Sequence, residues 1–155
     1  MEIEKDIFIG KPSQKVNMKY FLLALLIIPI PVILFMVMHS TYILSLLIIP
    51  ISWILVKVLQ TTSIKIRITN QRMIISEGVF SRKTEELELY RVRDVGVEEP
   101  FYYRILGIGN VVVKSTDKTD PDIMLKGFSK AHELKDIIRT NAEYYRQNRK
   151  WGTTS

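Results

Sequence analysis

The chain has 155 residues, no cysteine, and a net charge of +6 from 22 basic and 16 acidic side chains. Lack of cysteine excludes disulfides, thiolate chemistry and Cys-ligated metals. The charge is too mixed in sign to point to nucleic acid, and no recognition motif accompanies it. A basic but mixed surface suits a domain held beside an anionic leaflet.

Residues 1–18 read as a polar cytoplasmic arm. Within it, Ile7-Phe8-Ile9 is a short apolar stretch ended by Gly10 and Pro12. It could add a strand to a downstream domain, but a loosely docked arm is the favoured reading. Residues 19–59 then form two apolar runs, Tyr20 to Met38 and Tyr42 to Leu59, separated by His39-Ser40-Thr41. Neither run carries an acidic or basic residue until Lys57. At ~1.5 Å per residue each is ~27–29 Å long as a helix, close to the ~30 Å hydrocarbon core. In lipid the backbone must satisfy itself, so each run is expected to be helical. The pair reads as a transmembrane hairpin with a tight turn. Lys5, Lys11, Lys15 and Lys19 precede it, Lys57, Lys65 and Arg67 close or follow it, and the turn has no Lys or Arg. The positive-inside rule therefore places both termini and the rest of the chain in the cytoplasm, with the hairpin in the plasma membrane. Lys19, Tyr20, Tyr42 and Lys57 stand where interface anchors belong. Pro29, Pro31 and Pro50 are expected to bend the helices. No ionisable residue lies in mid-membrane, which argues against an ion or proton pathway.

Residues 60–148 change to a period of two. Ile64, Ile66 and Ile68 alternate with Lys65 and Arg67, a strand with one buried face. Thr69-Asn70-Gln71 is a turn, and Arg72 to Ser76 a returning strand. After a turn at Glu77-Gly78 a third strand is expected to start at Val79 to Arg82, and Thr84 to Tyr90 alternates again. Val92, Val95 and Val97 continue the apolar pattern with a slip of phase near Asp94, the mark of a bulge or bend. Pro100 ends this block. Phe101 to Leu106 reads as a single helical turn, Val111 to Val113 as a strand, Thr116 to Asp122 as a polar loop, and Ile123 to Phe128 as the last strand. Ser129 is a plausible cap for a helix whose apolar stripe is Leu134, Ile137, Ile138 and Tyr145. Residues 149–155 form a tail that, with Arg146, carries Arg149, Lys150 and Trp151. The expected class is α+β: a membrane hairpin, then a small antiparallel barrel or sandwich of six or seven strands, closed by one helix.

The ordered runs Ile68-Thr69-Asn70-Gln71-Arg72, Glu77-Gly78-Val79-Phe80, Leu89-Tyr90-Arg91-Val92-Arg93-Asp94-Val95 and Arg104-Ile105-Leu106-Gly107-Ile108-Gly109-Asn110-Val111 resemble the bacterial pleckstrin-homology-like domain of small membrane proteins. The resemblance covers roughly Lys57 to Asn141, and a preceding hairpin fits the membrane-flanked type. It implies two nearly orthogonal antiparallel sheets, seven strands in all, with the C-terminal helix closing one end. It brings no catalytic site.

The residues themselves offer little chemistry. His39 and His132 would be separated by the bilayer. Gly107-Ile108-Gly109 precedes a strand, so it fails as a dinucleotide loop. Glu85-Glu86 and Glu98-Glu99 are adjacent strand positions facing opposite ways, not acid-base dyads. No enzymatic activity, metal or cofactor is expected. The candidate binding feature is a set of cations, Lys65, Arg67 and Arg72, on the first strand hairpin, where lipid-binding pleckstrin-homology domains meet inositol phosphates. The competing reading is a solvated strand face. Phe101-Tyr102-Tyr103 is either an interfacial patch or, the favoured reading, packing at the end of the barrel. Three functions follow in order: a membrane-anchored scaffold binding a protein partner or its own copies; an anionic lipid-headgroup module; a small transporter or channel subunit.

Overall fold

The computed structural model describes residues 4–116 and 122–151. Strand β1 (Asp6–Gly10) precedes the apolar hairpin and β2 (Lys65–Thr69) follows it, and the two pair antiparallel. Phe8 packs against the core opposite Ile68, while Ile7 and Ile9 stay exposed. The loosely docked arm expected here is therefore a strand of the domain. Five residues cannot hold an extended backbone alone; the edge of β2 supplies the hydrogen bonds they need. Asn70 prolongs the ladder past β1, donating its N–H to Lys5 O (3.1 Å) and accepting the Lys5 N–H on Oδ1 (3.0 Å).

Between β1 and β2 the chain makes a 3₁₀ turn (Gln14–Asn17), helices α1 (Met18–Ile27) and α2 (Pro29–Met38), a 3₁₀ segment (Thr41–Leu47) and helix α3 (Ile48–Ser63). Gln14–Met38 and Tyr42–Ser63 are long and apolar enough to cross a membrane, with mean hydropathy 3.0 and 2.3. Only 11% and 6% of their most apolar windows is buried, so Leu26, Val37 and Ile49 face outward, unlike the side chains of a soluble core helix. Pro29 stands where α1 gives way to α2. Pro50 is the third residue of α3, immediately after the 3₁₀ segment, and both Pro31 and Pro50 are buried. His39 ends α2 in the left-handed region, with φ 48°.

Strands β3 (Arg72–Glu77) and β4 (Lys83–Glu88) complete a four-stranded sheet of order β1-β2-β3-β4. Strands β5 (Val92–Glu98), β6 (Gly109–Ser115) and β7 (Asp122–Phe128) form a second antiparallel sheet. Seven strands are reached only by counting β1, ahead of the hairpin. A 3₁₀ turn at Leu89–Arg91 carries the chain from one sheet to the other. Among the described residues no ladder joins the two sheets, so the arrangement is two sheets and not a closed barrel. The phase slip at Asp94 is a register shift between Val92 and Asp94 in the β5–β6 ladder.

Three local expectations are corrected. Val79 to Arg82 is a loop, and β4 starts at Lys83. Gly78, at φ +119°, turns the chain so tightly that a Cβ there would lie 1.7 Å from Ser81 O, so the strand cannot resume at once. Helix α5 (Ala131–Trp151) is capped one residue later than Ser129, since its first bond runs from Leu134 N–H to Lys130 O (3.0 Å). It also runs three residues into the expected tail. The side chains of Arg149, Lys150 and Trp151, and most of the polar loop from Thr116 to Asp122, lie outside the described residues. The core joins both sheets to α5 through Ile66, Ile68, Met73, Val111, Leu134 and Ile138, all 1% exposed or less.

Candidate functional site

Two surfaces are candidates for function: the base of the hairpin, and the cations of β2 and β3. At the base, polar side chains meet where the two arms converge. Asn17, 3% exposed, donates through Nδ2 to Thr61 Oγ1 (2.8 Å), Gln14 Oε1 (2.9 Å) and Lys57 O (3.3 Å). Gln14 Nε2 donates to Thr62 Oγ1 (2.8 Å) and Val58 O (3.3 Å). Buried amides with their partners satisfied fix geometry, because breaking any one bond strands a polar group. The same 3₁₀ turn is joined to the domain: Ser13, its cap, donates its N–H to Gly127 O of β7 (2.8 Å), and Lys15 Nζ donates to Leu106 O at the end of the helix over residues 101–106 (2.8 Å). The first arm is thus fastened to the domain, and Gln14 and Asn17 fasten the second arm to the first.

Of the expected anchors, the structure brings Lys19, Tyr20 and Lys57 together. Both ammonium groups lie over the Tyr20 ring, 5.0 and 5.2 Å from its centre. Trp53, which sequence reading passed over, meets Tyr20 edge-on at 5.4 Å. Its i−4 spacing from Lys57 was the available signal. Tyr42 stands at the other end of the hairpin, almost fully exposed.

The three candidate lipid contacts do not form one open cluster. Arg67 Nε pairs with Asp6 Oδ1 at 2.6 Å. Arg72 reaches Glu4 through Nε (2.9 Å) and Glu86 through Nη1 (2.8 Å). Of these three cations only Lys65 is exposed without an ion pair among the described residues. Asp6 and Glu4 come from β1 and its approach, which a loosely docked arm could not supply, and Glu86 comes from β4 beside β3. Hydrogen bonding to Arg72 first, and to Thr69 after it, holds the Glu4 carboxyl below its usual range. The bond to Asp6 makes Arg67 hold its proton more tightly than usual, and the bonds to Glu86 and Glu4 do the same for Arg72. At ~3.3 Å per strand residue, the turn carrying Arg72 lies ~13 Å along the sheet from Lys65, at the end away from the hairpin.

The aromatic segment divides. Within α4 (Phe101–Leu106), Tyr103 is buried and packs edge-on against Tyr102 at 4.6 Å, as the packing reading expected. Burial pushes its phenol up to about 12, with Tyr102 and Tyr20 adding to the shift. Phe101 and Ile105 are instead exposed, at 82% and 71%. On the opposite flank the β3–β4 loop stands against α3. A groove of about 520 Å³ runs between them, lined by Val56, Leu59 and Ile64 on one side and Gly78, Val79 and Phe80 on the other.

The remaining candidates stay apart. His132 Nε2 lies 3.0 Å from Glu99 Oε1 on the domain surface, whereas His39 is at the hairpin turn. Glu85 pairs with Lys83 and Glu86 with Arg72. Gly107 takes the left-handed cap of α4 (φ 63°) and leads into β6. Among the described residues no three of His, Cys, Asp and Glu gather as a metal would require.

Two antiparallel sheets, seven strands and a closing C-terminal helix define a pleckstrin-homology-like domain. The family model for the bacterial PH domain matches residues 18–142, and the chain belongs to that family. The match begins at Met18, so β1 completes the sheet from outside the matched span. No curated protein matches the chain, and neither does any solved structure.

Proposed function

We propose that this chain is a membrane-anchored, non-enzymatic interaction module. Its hairpin crosses the plasma membrane twice, and its PH-like domain binds a protein partner, or further copies of itself, on the cytoplasmic side. One observation carries the reading: the hairpin is inserted between two paired strands and clamped at its base by Gln14, Asn17, Thr61 and Thr62. A domain held this way meets membrane partners in a fixed attitude and at high effective concentration, so weak contacts suffice. The first sheet also leaves β1 as an edge strand with Ile9 exposed, a place where a partner strand can add.

The alternative, headgroup recognition by Lys65, Arg67 and Arg72, is weaker because two of the three cations are already matched by carboxylates. A transporter or channel subunit is weaker still, since the hairpin offers no charged group in mid-span. The test uses the full chain in its native membranes with a photo-crosslinking residue replacing Ile9. The expected result is one discrete adduct, of two copies or of one partner, that excess unlabelled chain competes away. The proposal fails if the crosslinks at position 9 give only lipid adducts. It also fails if inositol hexakisphosphate binds the full chain saturably and Lys65→Ala with Arg67→Ala abolishes that binding.

A further inference from the structure

Two apolar projections flank the hairpin base, and neither is explained by the domain core. On the α3 side the β3–β4 loop carries Val79, 40% exposed, and Phe80, fully exposed. It faces Val56 and Leu59 across the groove, at the level where the apolar run of α3 meets Lys57. On the α1 side, α4 carries Phe101 and Ile105, while its C-terminal carbonyl at Leu106 is held by Lys15, three residues before the start of α1. Both projections therefore lie near the depth of Lys19, Tyr20 and Lys57. Phe80 and Phe101 lie bare beside the two arms, each next to a second exposed apolar side chain, Val79 and Ile105.

The charges beside them point the same way. Arg82 follows the loop tip and Arg104 sits between Phe101 and Ile105 in α4; both are exposed and without an ion pair among the described residues. Arg67 and Arg72, by contrast, are matched by carboxylates. Arg82 and Arg104 thus stand beside the apolar tips, with the carboxylates Glu77 and Glu98 near them, while the cations matched on the first sheet lie further along it. A lipid surface of anionic headgroups over acyl chains is the partner that suits apolar tips edged by cations.

We infer that Val79–Phe80 and Phe101–Ile105 form an apolar collar around the hairpin base that sinks into the headgroup-to-acyl boundary of an anionic leaflet. The collar rests on the reading that the hairpin spans the bilayer. It holds the domain flush against the membrane instead of letting it stand off on two helices. The far end, where the β2–β3 turn lies, then faces the cytoplasm, and the β1 edge that runs up to it is left for a partner. Tightness at Gly78 helps, since a loop folded back on Ser81 keeps Phe80 pointed outward at little cost in entropy.

The chain has no cysteine, so single nitroxide labels can be placed without background. Phe80→Cys, Ile105→Cys, Leu26→Cys and Lys114→Cys are each labelled in the full chain. All are reconstituted in vesicles of phosphatidylethanolamine and phosphatidylglycerol. Power saturation then compares accessibility to oxygen with accessibility to a water-soluble nickel chelate. At positions 80 and 105 the oxygen-to-nickel ratio is expected several-fold above that at position 114 and below that at position 26. Ratios at 80 and 105 equal to that at 114, with 26 deep, overturn the collar while the spanning hairpin stands. A water-like ratio at 26 as well overturns both. All four positions except 26 are exposed on the domain, so the labels displace no core side chain.

Discussion

At the residue scale, the ion pairs of Arg67 and Arg72 decide how the basic hairpin is read. Cations alternating with isoleucine on β2 look like an open phosphate site until Glu4 and Asp6 are placed beside them. Each pair is exposed, so it adds little stability at high salt. Its larger effect is to cancel the local field that a phosphate would feel. Glu4 gives this a pH signature. Its carboxyl is held below the usual value of 4.5, so the folded state binds its proton less readily than the unfolded chain. The stabilisation is present above the unfolded pKa and is lost as pH falls through the lowered one. Glu4→Gln should therefore lower Tm slightly at neutral pH, and the gap to the parent chain should close on acidification below about pH 4.5. A gap that stays constant with pH, followed by thermal melts in one buffer series, would show that the pair with Arg72 contributes nothing.

At the element scale, β1 separates what the sequence disclosed from what it did not. The long signals were plain: two apolar runs, the alternation of Ile66 and Ile68 with Lys65 and Arg67, the α5 stripe, and even the bulge announced by the slip at Asp94. Each is a local period, and a local period survives in the sequence. Ile7-Phe8-Ile9 is too short for a period, and its partner strand lies beyond the whole hairpin, so nothing local marks it. Val79 and Phe80 misled for the opposite reason: they have strand propensity, but Gly78 sets the backbone and the side chains stay out of the core. Of the candidate site, the cations were legible and most of their neutralisation was not, because Glu4 and Asp6 reach them only through the same distant pairing. A fragment beginning at Thr61 should accordingly be a poor soluble domain. It lacks β1, exposes the β2 edge and leaves the place of Phe8 empty. A second fragment that joins β1 to Thr61 through a short Gly-Ser linker should fold and melt cooperatively, and Phe8→Ala in it should cost about 1–2 kcal/mol, less than a fully buried Phe. Equal stability of the two fragments in urea titrations would mean that β1 is dispensable.

At the scale of the whole molecule, the insertion constrains topology more firmly than charge does. β1 and β2 are neighbours in one antiparallel ladder, so the end of β1 and the start of β2 lie at the same end of the sheet. Whatever joins them must leave and return on one side of a bilayer. One crossing, or three, would tear the ladder apart. Two apolar helices with a turn of two residues between α2 and the 3₁₀ segment are the shortest solution. If the hairpin spans, as proposed, the fold requires an even number of crossings, and the proposed cytoplasmic side rests on the basic residues flanking the arms. The cysteine-free chain makes this directly measurable. Ser40→Cys, at the hairpin turn, should react with a membrane-impermeant maleimide in intact cells. Lys114→Cys, on β6, should react only after the membrane is opened. The reverse pattern would place the domain outside and set the positive-inside assignment aside while keeping the hairpin. Reaction of both in intact cells would be worse for the proposal, because a hairpin that lies on the surface leaves the domain with no fixed side from which to meet a partner.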